Sequence, residues 1–202
     1  MNNTIKFLMI SDIFVFTGFG LIDPILAIFI KENLIGGTIF AAGIASTIFL
    51  ITKCAIQLPF SRYVDSHDEK VGWLIAGTFL IALVPFIYMV ANNIYYIYLA
   101  QFLYGIGSGL AYPTWLGLWS THLDKKHESF EWSLYSSLTG LGIAAMATVG
   151  AAIAQFVDFR YTFVLGGILS LFGCATLLKL ENKSNGNKGN VPMRNYHKKT
   201  KI

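Results

Sequence analysis

Charge is what this 202-residue chain has least of. Asp, Glu, Lys and Arg make up 13% of it, against roughly 25% in a soluble domain. Hydrophobic residues make up 54%, more apolar surface than one core of this size can hide, so lipid is the expected solvent. Cysteine is scarce too. Cys54 and Cys174 both fall inside apolar runs, which excludes a disulfide framework and reads as small packing residues. No Ser/His/Asp or Cys/His set is spaced for catalysis, and the four histidines, His67, His122, His127 and His197, lie in polar stretches without metal-ligand spacing. No phosphate-cradling glycine loop is present, which argues against a self-contained ATP-driven pump. An enzyme is therefore not expected, nor a cofactor, nor a nucleic-acid partner.

What the chain does have is long apolar runs. A helix needs about 20 apolar residues to cross a bilayer, and six runs qualify, near 5–30, 36–60, 71–91, 94–120, 134–156 and 159–178. The expected fold is all-α, a polytopic membrane bundle of six transmembrane helices over 1–180. The first run is too long for a cleavable signal peptide and carries Asp12 and Asp23, so it reads as a retained span. The connections are short, and 181–202 is polar, basic and without apolar period, the pattern of a disordered tail. With the N-terminus cytoplasmic, Lys6, Arg62, Lys70, Lys125, Lys126 and the basic residues of the tail all lie inside, leaving Lys31 and Arg160 outside. That bias predicts both termini in the cytoplasm of a cell-membrane protein.

Two stretches stand out within these runs. Residues 18–24 read GFGLIDP and 107–113 read GSGLAYP, both Gly-x-Gly-Leu-x-x-Pro. They fall in spans one and four, which run in opposite directions, so they suggest an inverted three-plus-three repeat. Gly/Pro-interrupted segments at corresponding positions point to a transporter's binding site. Pro24 and Pro113 each crowd the carbonyl four residues back, at Gly20 and Gly109, and predict a bend with a freed acceptor there.

Asp23 is the sharpest residue. A charged carboxylate at this depth costs on the order of 2.5–3.5 kcal/mol on insertion scales and is functional by default. Helical spacing puts Asp12, Phe16, Phe19 or Gly20, and Asp23 on one face, which must then look inward. A proton or a cationic substrate group would suit Asp23. On span four, Gln101, Tyr104, Ser108, Tyr112 and Trp115 line one face, a stripe of hydrogen-bonding and aromatic groups for an amphipathic or cationic molecule. Counting back from the turn near Asn33, Asp12 and Lys53 reach similar depth, which predicts an ion pair of structural or gating character. In span five, Gly142, Met146, Gly150 and Ala154 form a close-packing line for another helix.

In these motifs the chain resembles one half of a major facilitator superfamily transporter. The family's loop between spans two and three typically reads Gly-x-Leu-x-Asp-Arg-x-Gly-Arg-Arg. The loop SRYVDSHDEK keeps Asp65 and ends in Lys70, a gating pair by resemblance, with Ser61 for the first glycine. Gln101, Gly105 and Gly109 match the family's Arg-x-x-x-Gly-x-x-x-Gly without its basic residue. Met146 and Ala147 stand where antiporters carry Gly-Pro, and Arg160 and Phe163 match the approach to span six. The resemblance implies a secondary transporter of small molecules working by alternating access; the expectation of proton coupling comes from Asp23. It also implies a facing half. Six spans supply one wall of a cavity, so a homodimer or a complementary half-transporter is the expected partner, beside membrane lipid and the small-molecule substrate. A non-transporting membrane interaction protein, or a truncated relic of the family, is the alternative.

Overall fold

The computed structural model describes residues 2–66 and 70–188, with the side chains of 70 and 182–188 excepted. Six helices follow one another: α1 (Asn3–Asn33), α2 (Ile39–Ser66), α3 (Lys70–Val90), α4 (Ile94–His122), α5 (Glu128–Phe156) and α6 (Phe159–Lys188). Each matches one predicted span, and no strand occurs among the described residues. The polar stretch from 181 onward continues as helix to Lys188; 189–202 lie outside the described residues.

Local chemistry sets the helix ends. Asn2 and Asn93 cap α1 and α4, their side-chain oxygens accepting the Thr4 and Tyr95 amides at 3.0 Å each. Asp158 accepts from the Arg160 amide at 2.7 Å at the start of α6. The turns after α1 and α3 are tied together, the Ile35 amide donating to Asn92 and the Ile94 amide to Ile35, both at 3.1 Å. Gly36 permits that turn by its positive φ of 78°. Within the spans, Ser and Thr hydroxyls donate back to carbonyls three or four residues earlier, as Thr17 does to Ile13 and Ser170 to Gly166. These bonds satisfy the hydroxyls that make them inside an apolar medium.

Packing follows the inverted repeat. α1 packs on α5 and α6, α4 packs on α2 and α3, and α3 packs on α6. Exchanging α1–α3 with α4–α6 leaves this pattern unchanged. The paired glycine motifs do the same work in each half. A Cβ on Gly18 of α1 would meet the Gly166 carbonyl of α6 at 2.6 Å, and one on Gly107 of α4 would meet the Gly77 carbonyl of α3 at 2.8 Å. Gly20 lies against the Ile143 backbone of α5, and Gly109 against Ile56 of α2, at 3.0 and 2.9 Å. These positions are glycine because two backbones approach where no side chain fits. The small-residue line of α5 meets α1 in the same way, Gly142 at Thr17 and Gly150 at the Leu21 backbone. Pro24 and Pro113 sit inside α1 and α4, which run as single helices through them.

Five of the helices, all but α4, are long and apolar enough to cross a membrane. α4 has the length, at 29 residues, but its tyrosines, glycines, Gln101 and Ser108 dilute its hydropathy. The bundle covers three of its polar side chains, Gln101, Ser108 and Thr114. α2 and α5 are the opposite case. α2 buries only Ala41, Ala45 and Val64, and α5 only Glu131, Thr139 and Gly150. Across one face the packing order is therefore α5, α1, α4, α2, with α3 and α6 behind and the two outermost helices largely uncovered.

Candidate functional site

The site begins with three stacked rings, one from each of three helices. Phe19 of α1 stacks on Tyr104 of α4 at 4.7 Å and 18° between planes. Phe49 of α2 covers the other side of Tyr104 at 4.3 Å and 25°. Offset stacking of this kind contributes about 0.5–1.5 kcal/mol per pair beyond simple burial.

Phe49 and Tyr104 are a wall shared by two cavities. One, of about 270 Å³, lies toward the α1–α2 turn and brings Asp23, Gln101 and Tyr104 together with Ser46. The other, of about 160 Å³, lies toward the N-terminal end of α1; Asp12, Lys53, Tyr104, Ser108, Tyr112, Trp115 and Tyr135 are among its lining residues. Every residue that the sequence marks for substrate or proton binding lines one cavity or the other. Asp23 is exposed on the bundle while Gln101 beside it is buried. Phe16 and Tyr112, at 41% and 45% exposure, bring the second cavity to the same surface.

Asp12 and Lys53 share a cavity but form no ion pair. The Tyr135 hydroxyl donates to Asp12 Oδ2 at 2.8 Å, and Lys53 Nζ lies 4.9 Å from the centre of the Tyr112 ring. The expected pair rested on α1 and α2 packing as a hairpin. In the fold α1 leans on α5 and α6, and α2 on α4, so each charge faces a tyrosine on a different neighbour. The Tyr112 ring offers Lys53 about 0.5–2 kcal/mol of cation–π attraction, less than the roughly 2.5–3.5 kcal/mol that an ammonium costs at membrane depth. Among the described residues Lys53 thus has no carboxylate at ion-pair distance. Trp115, which lines that cavity, stacks on Trp119 at 4.8 Å and 17°. Both indole Nε1 atoms and Ser11 Oγ are buried with no hydrogen-bond partner.

Asp65 is exposed on the last turn of α2. Among the described residues it makes no ion pair, and the side chain of Lys70, its expected partner, lies outside them. Sequence reasoning missed Phe49, Thr78 and Tyr135. Phe49 stands one helical turn before Lys53 and was open to the same spacing argument. Thr78 and Tyr135 carry no sequence signal, because only the tertiary packing brings α3 and α5 to this cavity.

The sequence profile of the Major Facilitator Superfamily matches residues 8–200. The chain belongs to the Major Facilitator Superfamily. Quinolone resistance protein NorA of Staphylococcus aureus, from strains Mu50, N315 and MW2, is 23% identical to it over 171 residues. The match takes in 85% of this chain and 43% of the relative, so the chain spans less than half the length of those relatives. As a superfamily member with long apolar helices it is a multi-pass membrane protein. Gly105 and Gly109 of α4 lie against Thr52 and Ile56 of α2. Gln101 lines the larger of the two cavities together with Asp23.

Proposed function

We propose that the chain is one half of a secondary transporter that moves small molecules by alternating access, with a second copy or a complementary half closing the cavity. The observation that carries this reading is the pair of cavities divided by the Phe19–Tyr104–Phe49 stack, with Asp23 in one and Asp12 in the other. A substrate path with a ring partition needs a facing wall. The α1–α4 seam, flanked by the uncovered α5 and α2, is the surface such a wall would meet. Asp23, with Gln101 and Tyr104, takes the proton or a cationic group of the substrate, and both termini face the cytoplasm. The similarity to a quinolone resistance protein makes a quinolone the first substrate to try.

The purified chain in lipid vesicles is expected to accumulate a quinolone when a proton gradient is imposed. Asp23→Asn should reduce that uptake at least about tenfold, the scale of losing a charge-assisted contact. Uptake unchanged in Asp23→Asn removes the role given to that residue. A strictly monomeric protein without flux favours the alternative, a membrane interaction protein, which the 43% coverage of the relatives also accommodates.

A further inference from the structure

We propose that the groove between α2 and α3 binds an acidic phospholipid, with one acyl chain lying along α2 and the phosphate held by Arg62. This groove is separate from the two cavities, and the inference does not depend on the transport reading.

α2 and α3 follow one another in the chain, yet each packs on other helices. α2 leans on α4, and α3 on α4 and α6. A groove of about 540 Å³ opens between them, lined by Ala55, Ile56, Pro59, Phe60 and Tyr63 of α2 and by Trp73 of α3. Three rings form the end nearer the polar α2–α3 connection. Phe60 stacks on Tyr63 at 5.7 Å, and Trp73 meets the two edge-on at 5.3 and 6.0 Å. The deeper lining, Ala55, Ile56 and Pro59, has no polar side chain. From Ala55 to Tyr63 the helix rises about 12 Å, close to half of the ~30 Å hydrocarbon core. An apolar groove of that length, with Tyr and Trp at its interfacial end, matches the acyl region of one leaflet.

Arg62 decides which lipid. It stands three residues after Pro59 and seven after Ala55, so it continues their line along α2 at the ring end of the groove. All three are exposed, which makes that line the open rim. A guanidinium there matches a phosphate in charge and in geometry, and an acidic headgroup adds the net negative charge that a zwitterionic one lacks. Asp65 is the competing acid. It lies a further turn toward the connection, beyond the groove, and among the described residues it makes no ion pair with Arg62. A facing half does not account for the groove either. Lys53, which lines a cavity, precedes Ala55 by two residues, about 200° of helix. The groove thus looks away from the cavity side of α2 and stays open to lipid whether or not a second bundle is present.

The test is native mass spectrometry of the detergent-purified full chain with dioleoyl phosphatidylglycerol and dioleoyl phosphatidylcholine, which share acyl chains and differ in headgroup. The glycerol lipid should be held about fivefold more tightly, the scale of one basic residue at the interface. Arg62→Gln should bring it down to the level of the choline lipid. Lys125→Gln, an exposed charge in the α4–α5 connection, should leave the preference intact. Ala55→Trp fills the groove and should weaken both lipids, by about fourfold for each methylene it displaces. Equal retention of the two lipids by the wild type overturns the proposal. Equal losses from Arg62→Gln and Lys125→Gln also overturn it, in favour of diffuse attraction to basic charge. Unchanged lipid binding in Ala55→Trp overturns it as well, and a lowered dimer fraction in that variant would then assign the groove to a second copy. The wild-type comparison of the two lipids stands even if a variant fails to fold.

Discussion

α1 and α4 carry the same seven-residue motif and occupy equivalent places, yet they differ in what they offer the site. Their glycines make matching approaches, Gly18 and Gly107 to the glycine carbonyls of α6 and α3, Gly20 and Gly109 to α5 and α2. At the sixth position of the motif, however, α1 has Asp23 and α4 has Tyr112. The same register sets Asp12 opposite Gln101. The repeat has thus kept its packing positions symmetric while its polar positions diverged. Packing constrains both copies equally, because each must bring two backbones together. A cavity needs charge in one place and rings in another, so its lining need not repeat.

The strongest way to break the comparison is to fill the closest approaches. Gly18→Val and Gly107→Val each drive a branched side chain into a backbone carbonyl, at 2.6 and 2.8 Å from the first added carbon. Neither contact is with a flexible side-chain end that could move aside. Overpacking costs about 1–3 kcal/mol even in cores that adjust, so both variants should lose most of their folded yield. Thermal melting in detergent, followed by circular dichroism, is the measurement. The symmetric packing requires the two losses to be similar, and a large loss at one with none at the other would show that only one copy of the motif is a packing device.

A smaller effect separates the two tyrosines of the smaller cavity. Tyr135→Phe removes the donor to Asp12 and leaves that oxygen unpaired, at a cost of about 1–3 kcal/mol. Tyr112→Phe keeps the ring under Lys53, and Tyr112 makes no side-chain hydrogen bond among the described residues, so its melting midpoint should stay close to the wild type. A reversed order would mean that Asp12 has its real partner elsewhere.

The sequence made the six helices legible because run length is a local property, and each apolar run is one helix. The duplicated motif was legible too, since four shared residues at fixed spacing survive without knowledge of the packing. The α4 stripe was readable from the spacing of Gln101, Tyr104, Ser108, Tyr112 and Trp115, and the same residues dilute the hydropathy of that helix. The Asp12–Lys53 pair failed for a tertiary reason. Adjacency in sequence is not adjacency in space here, because this bundle interleaves its halves and gives α1 to α5 and α6. Tyr135 was invisible for the same reason, being 123 positions from the aspartate it contacts.

The smallest effect probes the helices that the bundle leaves uncovered. A Cβ at Gly43 of α2 or at Gly140 of α5 would meet nothing within 4 Å. Alanine at either helical position should therefore raise the melting midpoint slightly, by up to about 0.5–1 kcal/mol from the reduced freedom of the unfolded chain. The contrast with Gly18 and Gly107 would show that a glycine in this fold matters only where another helix lies against it. Leucine at the same two positions sharpens the point. Its Cβ meets no neighbouring helix, so the midpoint should hold, but the longer side chain would obstruct a second bundle approaching along α2 and α5. A lower dimer fraction by native mass measurement, at unchanged midpoint, is the expected outcome; an unchanged fraction would mean that these glycines face lipid and that any partner docks elsewhere.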